Sequence, residues 1–147
     1  MERFDALLID VGDQTYAMPL LQIQEIRGWT PVTGLPNADP ACLGVLNLRG
    51  HVLPVFDARH ILGKPTPEPR PQDVIVVAVM EGRPLGLLVD GVSDIVSIDA
   101  AGITRSEDEA WAPDLIDGIA RVDDQLVPLL ALTHITQNPI PHLPSAA

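Results

Sequence analysis

Cysteine, aromatic rings, basic side chains and long apolar runs are all scarce in this chain of 147 residues. Cys42 is the only cysteine, which excludes an internal disulfide and suits a reducing cytosol. Five aromatic residues offer few surfaces on which bases could stack, and nine basic residues stand against 20 acidic ones. The resulting net charge of −11 repels phosphate backbones and anionic lipid, so neither nucleic-acid binding nor attachment to membrane is expected. The longest apolar run, Val74 to Met80, is far too short to cross a bilayer. The opening residues, Met-Glu-Arg-Phe-Asp-Ala, show no basic region leading into an apolar stretch, so no signal peptide is expected. These absences point to a soluble, cytoplasmic protein without direct membrane insertion.

What is present is short and apolar. The length suits one compact domain, or two small lobes sharing a core. A chain of this size buries roughly 70% of its unfolded surface and needs neither disulfide nor metal to fold. Mean hydropathy is +0.21, high for so acidic a chain, which implies either a generous core or apolar surface kept for partners. Segments rich in Val, Ile and Leu at Phe4–Val11, Thr15–Leu20, Leu43–Leu48, Val52–Phe56, Val74–Met80, Pro84–Val89, Ile116–Val122 and Gln125–Leu130 predict strands. Tight polar turns are expected at Gly12-Asp13, Gly50-His51, Glu81-Gly82 and Asp123-Asp124. Fifteen prolines cut short any long helix, leaving helical pieces at Asp57–Leu62, near Asp108–Trp111 and at Ala131–Thr136. Four prolines make Gly63–Gln72 an extended linker, and residues 138–147 form a flexible, proline-containing tail.

The chain also repeats itself. Tyr16–Leu20 and Ile23–Ile26 recur 69 residues later as Leu85–Val89 and Val92–Ile95, and Ala6–Val11 as Ile75–Met80. Gly44-Val45, Leu48, Pro54 and His60-Ile61 recur 74 residues later as Gly118-Ile119, Val122, Pro128 and His134-Ile135. Each copy holds four or five strands, too few to bury both faces of an open sheet. The expected fold is therefore all-β: two related small five-stranded, SH3-like β-barrels packed together, with a few short helices. The lobes are expected at 12–66 and 72–137 within one domain spanning 1–137, with the assignment of strand 4–11 left open.

Catalytic groups do not assemble. No two of the four histidines have metal-pair spacing, and Cys42 has no cysteine neighbour. His60 and His134 read as helix-end histidines, and Cys42, at the start of an apolar run, as a buried structural thiol. Glu107, Asp108 and Glu109, like Asp123 and Asp124, fall in polar loops where solvation explains them. No phosphate-binding glycine loop and no nucleophile elbow is present in the sequence. No catalytic residue, metal or cofactor is expected.

One segment is unusual for a plain strand and turn: Gly44-Val45-Leu46-Asn47-Leu48-Arg49-Gly50, leading into Val52-Leu53-Pro54-Val55-Phe56-Asp57. Alternation places Val45, Asn47 and Arg49 on one face and Leu46 and Leu48 on the other. Arg49 either pairs with a carboxylate beside a glycine turn, or joins Asn47 as a polar handle on a contact patch. Gly44 and Gly118, at one repeat position, indicate a backbone demand such as a bulge, a positive φ or a close approach.

Asn47-Leu48-Arg49-Gly50 followed by Pro54-Val55-x-Asp57 resembles the signature of the CheW family, as do Gln24-Glu25-Ile26-Arg27 upstream and Gly86-Leu87-Leu88-Val89-Asp90-Gly91-Val92 downstream. The likeness runs from about Phe4 to Ile135. It implies a two-barrel scaffold without activity of its own. Its implied partners are the cytoplasmic tip of a methyl-accepting chemoreceptor and the regulatory domain of a CheA-type histidine kinase. Carried over by position, Ile23, Glu25, Gly44, Asn47 and Arg49 would face the receptor, with Glu25 and Arg49 pairing to fix orientation. Val74, Gly86, Val92 and Gly118 would face the kinase. The acidic stretch Ser106–Trp111 departs from the family's second kinase contact, which leaves ring-forming contacts in doubt. Other readings stand beside this one: an adaptor of a parallel pathway such as twitching motility or surface sensing, a small enzyme using Asp57, His60 and Asp90, and a ligand-binding barrel.

Overall fold

The computed structural model describes residues 2–36, 39–80, 82–105 and 116–131. Ten strands dominate: β1 (Arg3–Val11), β2 (Gln14–Pro19), β3 (Ile23–Gly28), β4 (Cys42–Leu48), β5 (His51–Asp57), β6 (Val74–Met80), β7 (Arg83–Val89), β8 (Gly91–Asp99), β9 (Ile116–Val122) and β10 (Gln125–Leu130). One helical turn, α1 (Ala58–Ile61), follows β5, and Asp57 caps it by accepting from the Arg59 amide. The helical pieces expected near 108–111 and 131–136, the tail, and His134 and His142 lie outside the described residues.

The strands form two five-stranded sheets, in the orders β3-β6-β7-β5-β4 and β8-β1-β2-β10-β9. Position for position the two orders are the same, with β3 matching β8, β6 matching β1, β7 matching β2, β5 matching β10 and β4 matching β9. Their irregularities coincide as well. A bulge sits at Ile23/Glu25 in β3 and opposite Val92/Asp94 in β8, and another at Cys42/Gly44 in β4 and opposite Ile116/Gly118 in β9. The repeat read in the sequence is thus a repeat of pairing register. Its copies are interleaved, however. Each sheet takes a hairpin from one copy and three strands from the other, so the contiguous lobes 12–66 and 72–137 do not coincide with the sheets. The reason is that each hairpin pairs with the third strand of the opposite copy, β1 with β8 and β6 with β3.

Three packed layers result. Inside one curled sheet lie Leu46, Leu48, Leu53, Val55, Ile75, Val77 and Leu88, and inside the other Ala6, Ala17, Ile98, Ala120, Val127 and Leu129. Between the sheets lies a shared core that includes Leu7, Ile9, Met18, Val76, Ala78, Leu85 and Leu87. Alternate residues of β6 therefore serve different cores, Ile75 and Val77 one and Val76 and Ala78 the other. A strand buried on both faces reads as an unbroken apolar run, and this is why 74–80 is the longest in the chain.

The sheets are not the closed barrels that were expected. Each ladder stops at its edge strands, and a single bridge spans each gap: Thr33 to Val45 between the segment after β3 and β4, and Thr104 to Ile119 between the segment after β8 and β9. Pro31 lacks an N–H and the 3-10 turn Ala100–Gly102 leaves extended geometry, so neither ladder runs on along its edge. Strands β3 and β8 were also absent from the expected list. Both are edge strands interrupted by adjacent polar residues, Gln24-Glu25 and Ser93-Asp94, and they lack the apolar runs that marked the others.

Candidate functional site

The Asn47–Gly50 motif forms the turn between β4 and β5. The two turn residues are Arg49 and Gly50, at φ 51° and 85°, one position earlier than expected, and His51 opens β5. Two positive φ values in a two-residue turn match the twist of the strands it joins. A non-glycine residue such as Arg49 needs support there, and Asn47 supplies it by accepting from the Gly50 amide at 3.0 Å. Leu46 and Leu48 point inward and are buried while Asn47 is exposed, as alternation required.

Arg49 crosses the gap between the edge strands and donates to Glu25 Oε1 at 2.5 Å. The pairing expected of these two residues is present. It closes one end of the β3–β4 seam, and the Thr33–Val45 bridge closes the other. Ile23 is half-buried against the shared core. Beside the ion pair opens a cavity of about 350 Å³ lined by Gln24, Leu48, Arg49, His51, Leu53 and Pro84 among others. Gly44 is buried at the bridge itself with φ 148°, and a Cβ there would lie 2.3 Å from the Thr33 carbonyl oxygen. Of the five residues carried over for a receptor, Glu25, Asn47 and Arg49 therefore line one accessible seam, Ile23 packs behind it, and Gly44 shapes it.

The four residues carried over for a kinase are not gathered in this way. Val74 and Gly86 belong to one sheet, Val92 and Gly118 to the other. Only Val92 is exposed. Gly86 is buried in a central strand, where a Cβ would meet Ile75 Cγ2 at 3.0 Å and Val55 Cγ2 at 3.1 Å. Gly118, like Gly44, sits beside the bridge of its sheet, its Cβ position lying 2.7 Å from Ile103 Cγ2 and 3.2 Å from the Thr104 oxygen, but without the positive φ of Gly44. Both glycines leave room for close packing of their neighbours.

A second constellation escaped the sequence reading. Arg59 is only 1% exposed and grips Asp57 with two hydrogen bonds, Nε to Oδ1 at 3.0 Å and Nη2 to Oδ2 at 3.2 Å. Its Nη1 lies 3.4 Å from both Asp73 and Asp90. Arg70 adds a second cation, 3.0 Å from Asp73. Asp90 in turn accepts from the Gly12 amide at 3.1 Å, and its own amide donates to the Asp10 carbonyl. Helix α1, the end of the proline-rich linker, the β7–β8 crossing and the β1–β2 turn are tied together at this point. Burial works against the charge on Arg59, but the hydrogen bond and charge of Asp57, with the charges of Asp73 and Asp90, outweigh it and raise its pKa. The only hint in the sequence was Asp57-x-Arg59 at a helix start.

The small active site considered above shares two of its members, Asp57 and Asp90, with this network. Asp57 and Asp90 both face Arg59, and the His60 side chain is exposed. Cys42 is half-buried rather than fully buried, and desolvation pushes its thiol pKa up, which favours the unreactive protonated form. Both sheet interiors are filled by side chains, unlike a ligand-holding barrel.

The fold and the seam define a class, a β protein of two interleaved five-stranded sheets with an accessible polar seam at the edge of one of them. The model of the CheW-like domain family matches residues 5–139, and the chain belongs to the CheW family. It is 39% identical to the chemotaxis protein CheW of Rhizobium meliloti over 127 residues, covering 85% of this chain and 82% of that one. With the chemotaxis protein CheW of Klebsiella aerogenes it shares 30% identity over 126 residues, covering 84% and 76%. The crystal structure of the scaffolding protein CheW from Thermoanaerobacter tengcongensis superposes with a TM-score of 0.79 at 22% identity, covering 88% of this chain and 90% of that one.

Proposed function

We propose that this chain is a non-catalytic adaptor that couples the cytoplasmic tip of a methyl-accepting chemoreceptor to the regulatory domain of a CheA-type histidine kinase in bacterial chemotaxis. It belongs in the cytoplasm, recruited to receptor arrays at the membrane. Membership of the CheW family and the names of its relatives support the chemotaxis role. Among the described residues no helix is long and apolar enough to cross a membrane. No observation favours an adaptor of a parallel pathway.

The observation that carries the reading is the β3–β4 seam, where Glu25 and Arg49 hold a fixed polar pair beside a surface cavity. A receptor tip is a helical bundle, and such a seam can take one helix through apolar and polar anchors. Exposed pairs of this kind contribute only about 0–1 kcal/mol, so Glu25 and Arg49 serve orientation more than affinity. The kinase side draws on Val92, the exposed member of its group. Pull-down from native cytosol tests this with the wild type, Arg49→Glu and Val92→Lys, each first confirmed as folded. Recovery of a receptor and a kinase, with each variant losing a different one, is the expected result. Recovery of neither, or equal loss from both variants, contradicts the reading.

A further inference from the structure

Two exposed apolar side chains of each sheet occupy matching positions. Ile26 on edge strand β3 is 42% exposed, and Val52 on β5, the neighbour of edge strand β4, is 52% exposed. At the same register in the other sheet, Ile95 on edge strand β8 is 54% exposed, and Leu126 on β10, the neighbour of edge strand β9, is 68% exposed. The cross-strand partners agree, since Val52 faces Asn47 and Leu126 faces Arg121. Each sheet therefore leaves two apolar side chains in water on the strands that flank its seam, at a cost that burial against another molecule would recover.

The charges do not match. The position of Glu25 is held by Asp94, and that of Arg49 and Gly50 by Asp123 and Asp124, which form the β9–β10 turn with φ 47° and 64°. The first seam thus carries an internally neutralised pair. Among the described residues the second carries Asp94, Asp123 and Asp124 against Arg121, with Arg105 and Asp117 paired to each other at 3.8 Å, a local charge of −2. Where the first seam cancels its own charge, the second leaves it for a partner to cancel.

We propose that the β8–β9 seam docks a protein surface that is apolar at its centre and bordered by Lys or Arg, and that Asp94, Asp123 and Asp124 select that surface by charge. This rests on the adaptor reading above and assigns the seam to the kinase-facing side, where Val92 lies two residues from Asp94. Rim charges of this kind act mainly on the rate of encounter and on its salt dependence. A second copy of the chain is a poor occupant, since its net charge of −11 opposes an acidic seam.

The test measures association of the full chain with the recombinant regulatory domain of the CheA-type kinase from the same chemosensory system, at low and high NaCl. The variant neutralises the seam with Asp94→Asn, Asp123→Asn and Asp124→Asn together. Asparagine tolerates the left-handed backbone that positions 123 and 124 require, so the turn is kept. Glu68→Gln, in the exposed linker, removes a carboxylate elsewhere and serves as control. The expected result is association about 10-fold slower for the triple variant at low salt, a flattened salt dependence, and no change for the control. Leu126→Ala is expected to speed dissociation several-fold. Should the triple variant not fold, Asp94→Asn alone carries the test with a smaller drop. Binding of wild type and variant at equal rates with equal salt dependence overturns the charge selection and leaves the adaptor reading standing. No binding of the wild type at either salt concentration removes the kinase partner and this inference with it.

Discussion

At the scale of single residues, glycine positions separate shape from contact. Gly44 and Gly118 recurred in the sequence, and the reason is now physical: each lies beside the one bridge that spans its seam, with a backbone carbonyl within 3.2 Å of where a Cβ would be. The demand was legible; its cause, a close approach across a gap between edge strands, was not, because Thr33 and Thr104 carry no pattern of their own. Gly44→Ala should cost about 3 kcal/mol, since neither the Thr33 backbone nor the positive φ can relax cheaply. Denaturant unfolding should show this as a lower midpoint with an unchanged slope. A stability within about 0.5 kcal/mol of wild type would show that the seam tolerates a side chain there. Loss of a partner in such a variant would then reflect a warped seam rather than a lost contact.

At the scale of elements, the two arginines used most differ in what they hold. Arg49 joins one turn to one edge strand in water, whereas Arg59 ties four elements together out of water. Asp57 and Asp73 are almost wholly buried, so removing Arg59 leaves carboxylates with too few counter-charges. Arg59→Met is expected to cost roughly 3–5 kcal/mol, and Arg49→Ala less than about 1 kcal/mol. Urea titration of both variants checks the contrast. Equal costs would mean that the buried cluster is not what fixes the linker and the β7–β8 crossing. The sequence reading brought Asp57 and Asp90 together only as parts of a possible active site and passed over Arg59 and Asp73, because the members lie as far apart as positions 57 and 90 and converge only when both sheets form. Strands β3 and β8 stayed hidden for the opposite reason, since Gln24-Glu25 and Ser93-Asp94 interrupt the apolar run at these edge positions.

At the scale of the whole molecule, the repeat predicted two related units but not their interleaving. Composition and periodicity describe what each strand buries, whereas the exchange of hairpins between copies depends on which partner strand each hairpin finds, and that is decided by long-range pairing. Because both sheets contain both copies, the shared core and the Arg59 cluster link the two seams through one packed body. An adaptor built this way can hold two partners in a fixed mutual orientation, and their affinities then depend on one another. The most direct measurement is co-sedimentation of the purified kinase with receptor cytoplasmic domains arrayed on vesicles, with and without this chain. The account predicts that the kinase sediments with the receptor only when the chain is present, and that Arg49→Glu abolishes the effect while the variant remains folded. Equal sedimentation of the kinase with and without the chain would contradict it.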